Sequence, residues 1–159
     1  MQLSSRFPVA VQLSILMAWC PDDFKITSEV MALSVNTNPA LIRRIIGYLK
    51  NAGLVLVAAG TGGSRLARDA GDITLLDVYQ AVELTDQDML FGLHEKPNPK
   101  CPIGKNINDV LTPHLNRAIN AMEESLSQVT IQQLVEEFPS FDTKLIHKEF
   151  LNKFRLEQS

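Results

Sequence analysis

Residues 38–55, NPALIRRIIGYLKNAGLV, followed at residues 60–66 by GTGGSRL, decide how this chain is read. Asn38 carries a strong N-cap side chain, Pro39 suits the first helical position, where a missing amide is no loss, and Gly53 can take the left-handed conformation that closes a helix. Between these marks Ile42, Ile45, Ile46 and Leu49 recur at helical spacing, while Arg43, Arg44 and Lys50 lie off that stripe. The pattern predicts a helix with one buried face and one basic face. The glycines that follow do not make a nucleotide loop, since no GxxxxGK[ST] pattern is present and both flanks, residues 54–58 and 65–67, read as short strands. They predict the tip of a hairpin, where glycine permits the positive backbone angles of a tight turn and a close approach to a groove or phosphate.

Upstream, residues 8–20 read as an apolar helix with Val9, Leu13, Leu16 and Met17 on one stripe, ended by Pro21-Asp22-Asp23. Thr27 can cap a shorter second helix, with Glu29 at its positive end and Val30, Met31 and Leu33 on its buried side. Helix, helix, turn, basic helix and glycine-tipped hairpin, in that order, predict a winged helix-turn-helix: a mainly α fold with a small β-hairpin wing. On this reading Arg43, Arg44 and Arg65 contact phosphates or guanine edges, and Thr37 and Asn38 meet backbone or bases at the helix start. Thr61 and Ser64 belong to the DNA-facing wing, and Ser5 with Arg6 anchors an adjacent phosphate.

Charge divides the chain at the same place. Residues 1–70 hold seven Lys or Arg against four Asp or Glu, and residues 71–159 hold eight against fourteen, so a net charge of −3 conceals a basic first half. A chain of 159 residues can bury one small domain and carry an appended helical segment. No apolar run approaches the roughly 18 residues of a membrane span, and the amino terminus lacks signal-peptide features, so a cytoplasmic protein is expected. Two distant cysteines, with no CxxC and no Cys/His cluster at zinc spacing, argue against a disulfide scaffold or a structural metal.

In the second half, residues 73–82 read as a helix capped by Thr74 that packs back on the winged domain. Residues 85–105, with His94, Glu95, Pro97, Pro99, Cys101 and Pro102, prefer a loop. After it, Ile107, Val110, Leu111, Leu115, Ala118, Ile119, Met122 and Leu126 form a stripe over about five turns, with Pro113 marking either a kink or a later start. Such a helix either folds back as a core helix of a monomer or meets a second copy. Dimerisation also serves DNA reading, because two-fold symmetry sets two recognition helices in successive major grooves. The expected division is 1–83 as the DNA-binding domain, 84–106 as a variable sensing loop and 107–159 as dimerisation helix and C-terminal segment. Residues 131–138 read as a last short helix, and residues 142–155 as a charged amphipathic segment without an assigned place.

With these residues in view, the chain resembles the Rrf-two family of bacterial winged-helix transcription regulators over nearly its whole length, and looks most like the YwnA-type members. The resemblance rests on residues 38–55, on Gly60-Thr61-Gly62-Gly63 followed by Leu66-Ala67-Arg68, on Ile73-Thr74-Leu75-Leu76-Asp77 and on the long helix after the loop. It implies a dimer partnered with double-stranded DNA, a sensing role for residues 85–105 and dimerisation through residues 107–127. Cluster-binding members carry three cysteines in that loop. This chain has only Cys101, with Glu95 and Met89 at the companion positions, so the expectation is no cofactor and no metal. Where family members often have an arginine before the wing glycines and a tyrosine after them, Ala59 and Arg65 stand here, and Arg65 is the candidate replacement.

Cys101 lies between Lys100 and Lys105, whose charge favours a thiolate, so it reads either as a redox or electrophile sensor or as an inert remnant. Cys20, beside Trp19, reads as core. The sequence therefore predicts a dimeric DNA-binding transcription regulator, a repressor responsive to a redox or small-molecule effector. The rival is a winged-helix protein-interaction module that no longer binds DNA. His94, Glu95 and Cys101 lack the rigid platform and oxyanion donor that catalysis requires, so no enzyme is expected.

Overall fold

The computed structural model describes residues 5–22, 24–60, 62–83, 90–138 and 152. Helices α1 (Arg6–Trp19), α2 (Ser28–Val35) and α3 (Pro39–Asn51) lead into a two-stranded antiparallel hairpin, β1 (Val55–Val57) and β2 (Ser64–Leu66). A 3-10 turn at Ala70–Asp72 precedes α4 (Leu75–Glu83), α5 (Pro102–Ser127) and α6 (Ile131–Glu137).

Local chemistry accounts for the ends of the central helices. Asn38 Oδ1 accepts from the Leu41 N–H at 2.9 Å, and Gly53, at φ +74°, lets the Leu54 N–H reach back to the Leu49 carbonyl at 2.9 Å. In α2, Thr27 Oγ1 accepts from the Val30 N–H at 3.4 Å. Asn36 closes that helix from the left-handed region at φ 58°, with the Thr37 N–H donating to the Ala32 carbonyl. The buried side of α2 is Val30, Met31 and Ala32; Leu33, expected inside, is 52% exposed. A helix of only two turns shows the core a narrow arc, and the small Ala32 fills the place next to Met31.

Ile42, Ile45 and Leu49 of α3 are fully buried in one core with Leu13 of α1, Met31 of α2, Val78 and Val82 of α4 and Ile131 of α6. Each such side chain is worth about 1.5–3 kcal/mol relative to exposure. Ser14, buried on α1, satisfies its hydroxyl by donating to the Ala10 carbonyl at 2.9 Å. Phe7 meets Tyr79 edge to face, with ring centroids 5.6 Å apart, fastening α1 to α4.

Helix α6 joins this core through backbone pairing. Leu75 N–H donates to the Val129 carbonyl at 2.8 Å and Ile131 N–H to the Ile73 carbonyl at 2.9 Å, an antiparallel bridge centred on Thr74 and Thr130. Thr74 and Asp77 cap α4 reciprocally, and Thr130 and Gln133 do the same for α6.

Helix α5 begins at Pro102, earlier than the stripe from Ile107 suggests, and runs through Pro113 without interruption. Pro102 occupies the first turn, where its missing N–H is harmless, and Asn106 Nδ2 donates to its carbonyl at 2.8 Å. None of the residues of α5 is fully buried. Val110 and Leu111 of the expected stripe are 62% and 40% exposed, and Ile103 is 75% exposed. One flank rests on α4; along the stripe Val110, Leu111 and Ala118 are exposed, and Ile107, Leu115, Ile119, Met122 and Leu126 are half-buried.

Candidate nucleic-acid interface

The amphipathic division of α3 places its basic residues outward. Ile42, Ile45, Ile46 and Leu49 are buried, and Arg43, Arg44 and Lys50 are exposed. Arg65 lies exposed on β2, paired in register with Leu56. The turn of the wing is closed where Ala58 N–H donates to the Gly63 carbonyl at 3.0 Å, and the wing is tied to the segment before α2 where Ser64 N–H donates to the Ile26 carbonyl at 2.9 Å. Gly60 and Gly63 take φ of +66° and +78°, the conformations for which the sequence offers glycine.

Between the start of α2 and the wing opens a cleft of about 290 Å³, lined by Thr27, Ser28 and Glu29 of α2, by Arg43 reaching in from α3, and by Gly60 and Ser64 of the wing. It brings together two of the residues singled out in the sequence, Arg43 and Ser64. Arg44 and Arg65 are exposed but do not line it. Asn38 is exposed with its Oδ1 committed to the helix cap, which leaves its Nδ2 donors for an outside partner. Thr37 is half-buried and its N–H closes α2. Ser5 is exposed and receives the Val9 N–H on its carbonyl, and Arg6 opens α1 half-buried. Thr61 lies outside the described residues.

Sequence reading missed Glu29 as part of this surface. Its Oε1 accepts from Arg43 Nη2 at 2.7 Å. The carboxyl is held below its usual range, by its own backbone N–H foremost and then by Arg43 and Thr27, so it is ionised at neutral pH.

Cys101 is the half-buried N-cap of α5. Its thiol is pulled below the ordinary value by the backbone N–H groups of Gly104 and then Ile103, so the helix start, rather than the flanking lysines, favours the thiolate. Cys20 is buried, and burial pushes its thiol up to about 11. An iron-sulfur cluster needs several thiolates. With one of two cysteines in the core, and no group of three or more His, Cys, Asp or Glu among the described residues placed to hold a metal, the donor set does not fit one. His94 is exposed, and its carbonyl accepts from Asn108 Nδ2 at 3.0 Å.

A doubly capped basic helix beside a glycine-tipped hairpin, carried on a small helical core, defines a winged-helix DNA-binding regulator of transcription. Residues 3–137 match the Rrf2 family, described as iron-dependent transcriptional regulator, and the chain belongs to that family. It is 41% identical over 133 residues to YwnA of Bacillus subtilis (strain 168), named as an HTH-type transcriptional regulator, covering 84% of this chain and 96% of the relative. A crystal structure described as a DNA binding protein is 37% identical, with a TM-score of 0.64 over 81% of this chain and 97% of that one. The oxidized form of Staphylococcus aureus CymR, at 22% identity, shares the fold, with a TM-score of 0.63 over 88% of this chain and 100% of that one. Family and relatives are regulators of transcription and not enzymes. Among the described residues no helix is long and apolar enough to cross a membrane.

Proposed function

We propose that the protein is a homodimeric, sequence-specific DNA-binding repressor. In this reading α3 enters the major groove, the wing follows the adjacent backbone, and α5 pairs with its copy in a second subunit. The observation that carries the reading is the basic face of α3, with Arg43 and Arg44 exposed opposite four buried apolar residues and the wing arginine Arg65 exposed on the neighbouring hairpin. Phosphate contacts from these cations supply affinity, and bidentate contacts to base edges supply preference.

The dimer rests on α5, where Ile103, Val110 and Leu111 stay exposed on a 26-residue helix. A second copy covers them and sets two α3 helices about one DNA turn apart. Cys101, with a lowered thiol pKa at the start of that same helix, is the entry point for a redox or electrophile signal.

Selection from a randomised duplex library, followed by sequencing, tests the reading. Enrichment of a two-fold symmetric site is expected. Enrichment of a single unrepeated half-site would contradict the dimer, and no enrichment would contradict sequence-specific binding.

A further inference from the structure

We propose that Glu29 sets the base preference of this regulator by holding Arg43, a role that rests on the reading of α3 as the DNA-contacting helix. Glu29 Oε1, in the first turn of α2, accepts from Arg43 Nη2 of α3 at 2.7 Å. The two side chains are 57% and 60% exposed, and an ion pair so open to water adds little to stability. Its location is what distinguishes it. The pair lines the cleft between the start of α2 and the wing, which Gly60 and Ser64 also line.

An unrestrained arginine on a helix surface samples many rotamers and meets whichever phosphate is nearest. A guanidinium anchored through one nitrogen keeps its plane, and its five N–H donors leave enough free for the paired contact with guanine O6 and N7. The anchoring carboxylate has a second effect. It repels the DNA backbone and already occupies part of the guanidinium, so a phosphate gains less from Arg43 than a base edge does. Glu29 thus turns a general phosphate contact into a base reader, and acts as a positioning residue.

The full-length wild type, Glu29→Gln, Arg43→Ala and the double variant are titrated with the duplex that the wild type enriches from a random library, with its single-base variants and with random-sequence duplex, across a salt series. Circular dichroism confirms that each is folded, and Glu29→Ala serves as a second variant with the same expectation. Glu29→Gln should lose about tenfold discrimination at one base-pair position, bind random-sequence duplex more tightly and steepen the salt slope by about one. In the Arg43→Ala background the same change should leave discrimination at that position unaltered, because only the repulsion of the backbone by Glu29 remains to be removed. If Arg43→Ala weakens binding while Glu29→Gln keeps the wild-type base preference and slope, the inference is overturned and the DNA-reading role of α3 survives. If Arg43→Ala leaves affinity unchanged, or no duplex is enriched, that role of Arg43 fails and this inference fails with it.

Discussion

The backbone N–H of Ser64 donates to the carbonyl oxygen of Ile26 at 2.9 Å, so the second strand of the wing is fastened to the segment that enters α2. The attachment needs a glycine beside it. A Cβ on Gly63 would stand 2.9 Å from Ile26 N and 3.0 Å from Ile26 O, at a φ of +78° that side chains other than hydrogen rarely take. Gly63→Ala should therefore destabilise the protein by about 2 kcal/mol, from left-handed strain together with the displaced backbone. Urea unfolding measures this, and an unchanged midpoint would show that the wing is not fastened there.

Ile131 is fully buried although it is the first residue of α6. Removal of its side chain leaves a cavity between α6 and α1, at a cost of about 2–5 kcal/mol. Ile131→Ala should lower the melting temperature of the whole winged domain in one transition. Loss of the α6 signal alone, with the remainder melting as in the wild type, would mean that α6 is an independent appendage.

The ends of α3 were readable in the sequence at Asn38, Pro39 and Gly53 because capping is local chemistry, written within a few residues of where it acts. Fold class followed from the order of such local signals. The start of α5 was not readable, because its first turn carries Pro102 and Gly104, a loop composition, and its Ile103 faces solvent. The burial of Ile131 depends on a backbone bridge to Thr74, distant in sequence. Of the candidate interface, the exposed Arg43 and Arg44 were legible from helical spacing. The Glu29–Arg43 pair was not, since it depends on how α2 turns into α3.

The two cysteines should differ sharply in reactivity. Alkylation of Cys101 should reach half its maximal rate below pH 9.0, the ordinary thiol value, because backbone N–H groups favour its thiolate, and Cys101→Ser should remove the fast phase. Cys20, held protonated to about 11, should react only on unfolding. Between 9.0 and about 11 the unfolded chain releases the Cys20 proton while the folded one keeps it, so stability should fall as pH rises through that window. Equal alkylation rates at the two sites would refute both assignments.

Helix α5 should hold two subunits together. Leu111→Glu with Leu115→Glu places charge in the apolar stripe of α5 and should give a monomer by light scattering, with DNA affinity lowered because two half-sites are no longer engaged together. A wild type already monomeric at micromolar concentration would contradict this dimer.

The salt dependence of affinity for the enriched duplex, compared between the wild type and Arg43→Ala/Arg44→Ala/Arg65→Ala, tests most directly whether α3 and the wing form the DNA-reading surface. The triple variant should bind at least tenfold more weakly, with a salt slope shallower by about one for each phosphate no longer neutralised and reduced preference wherever an arginine had met a base edge. The same affinity and the same slope in both proteins would contradict it and place the DNA-binding surface elsewhere.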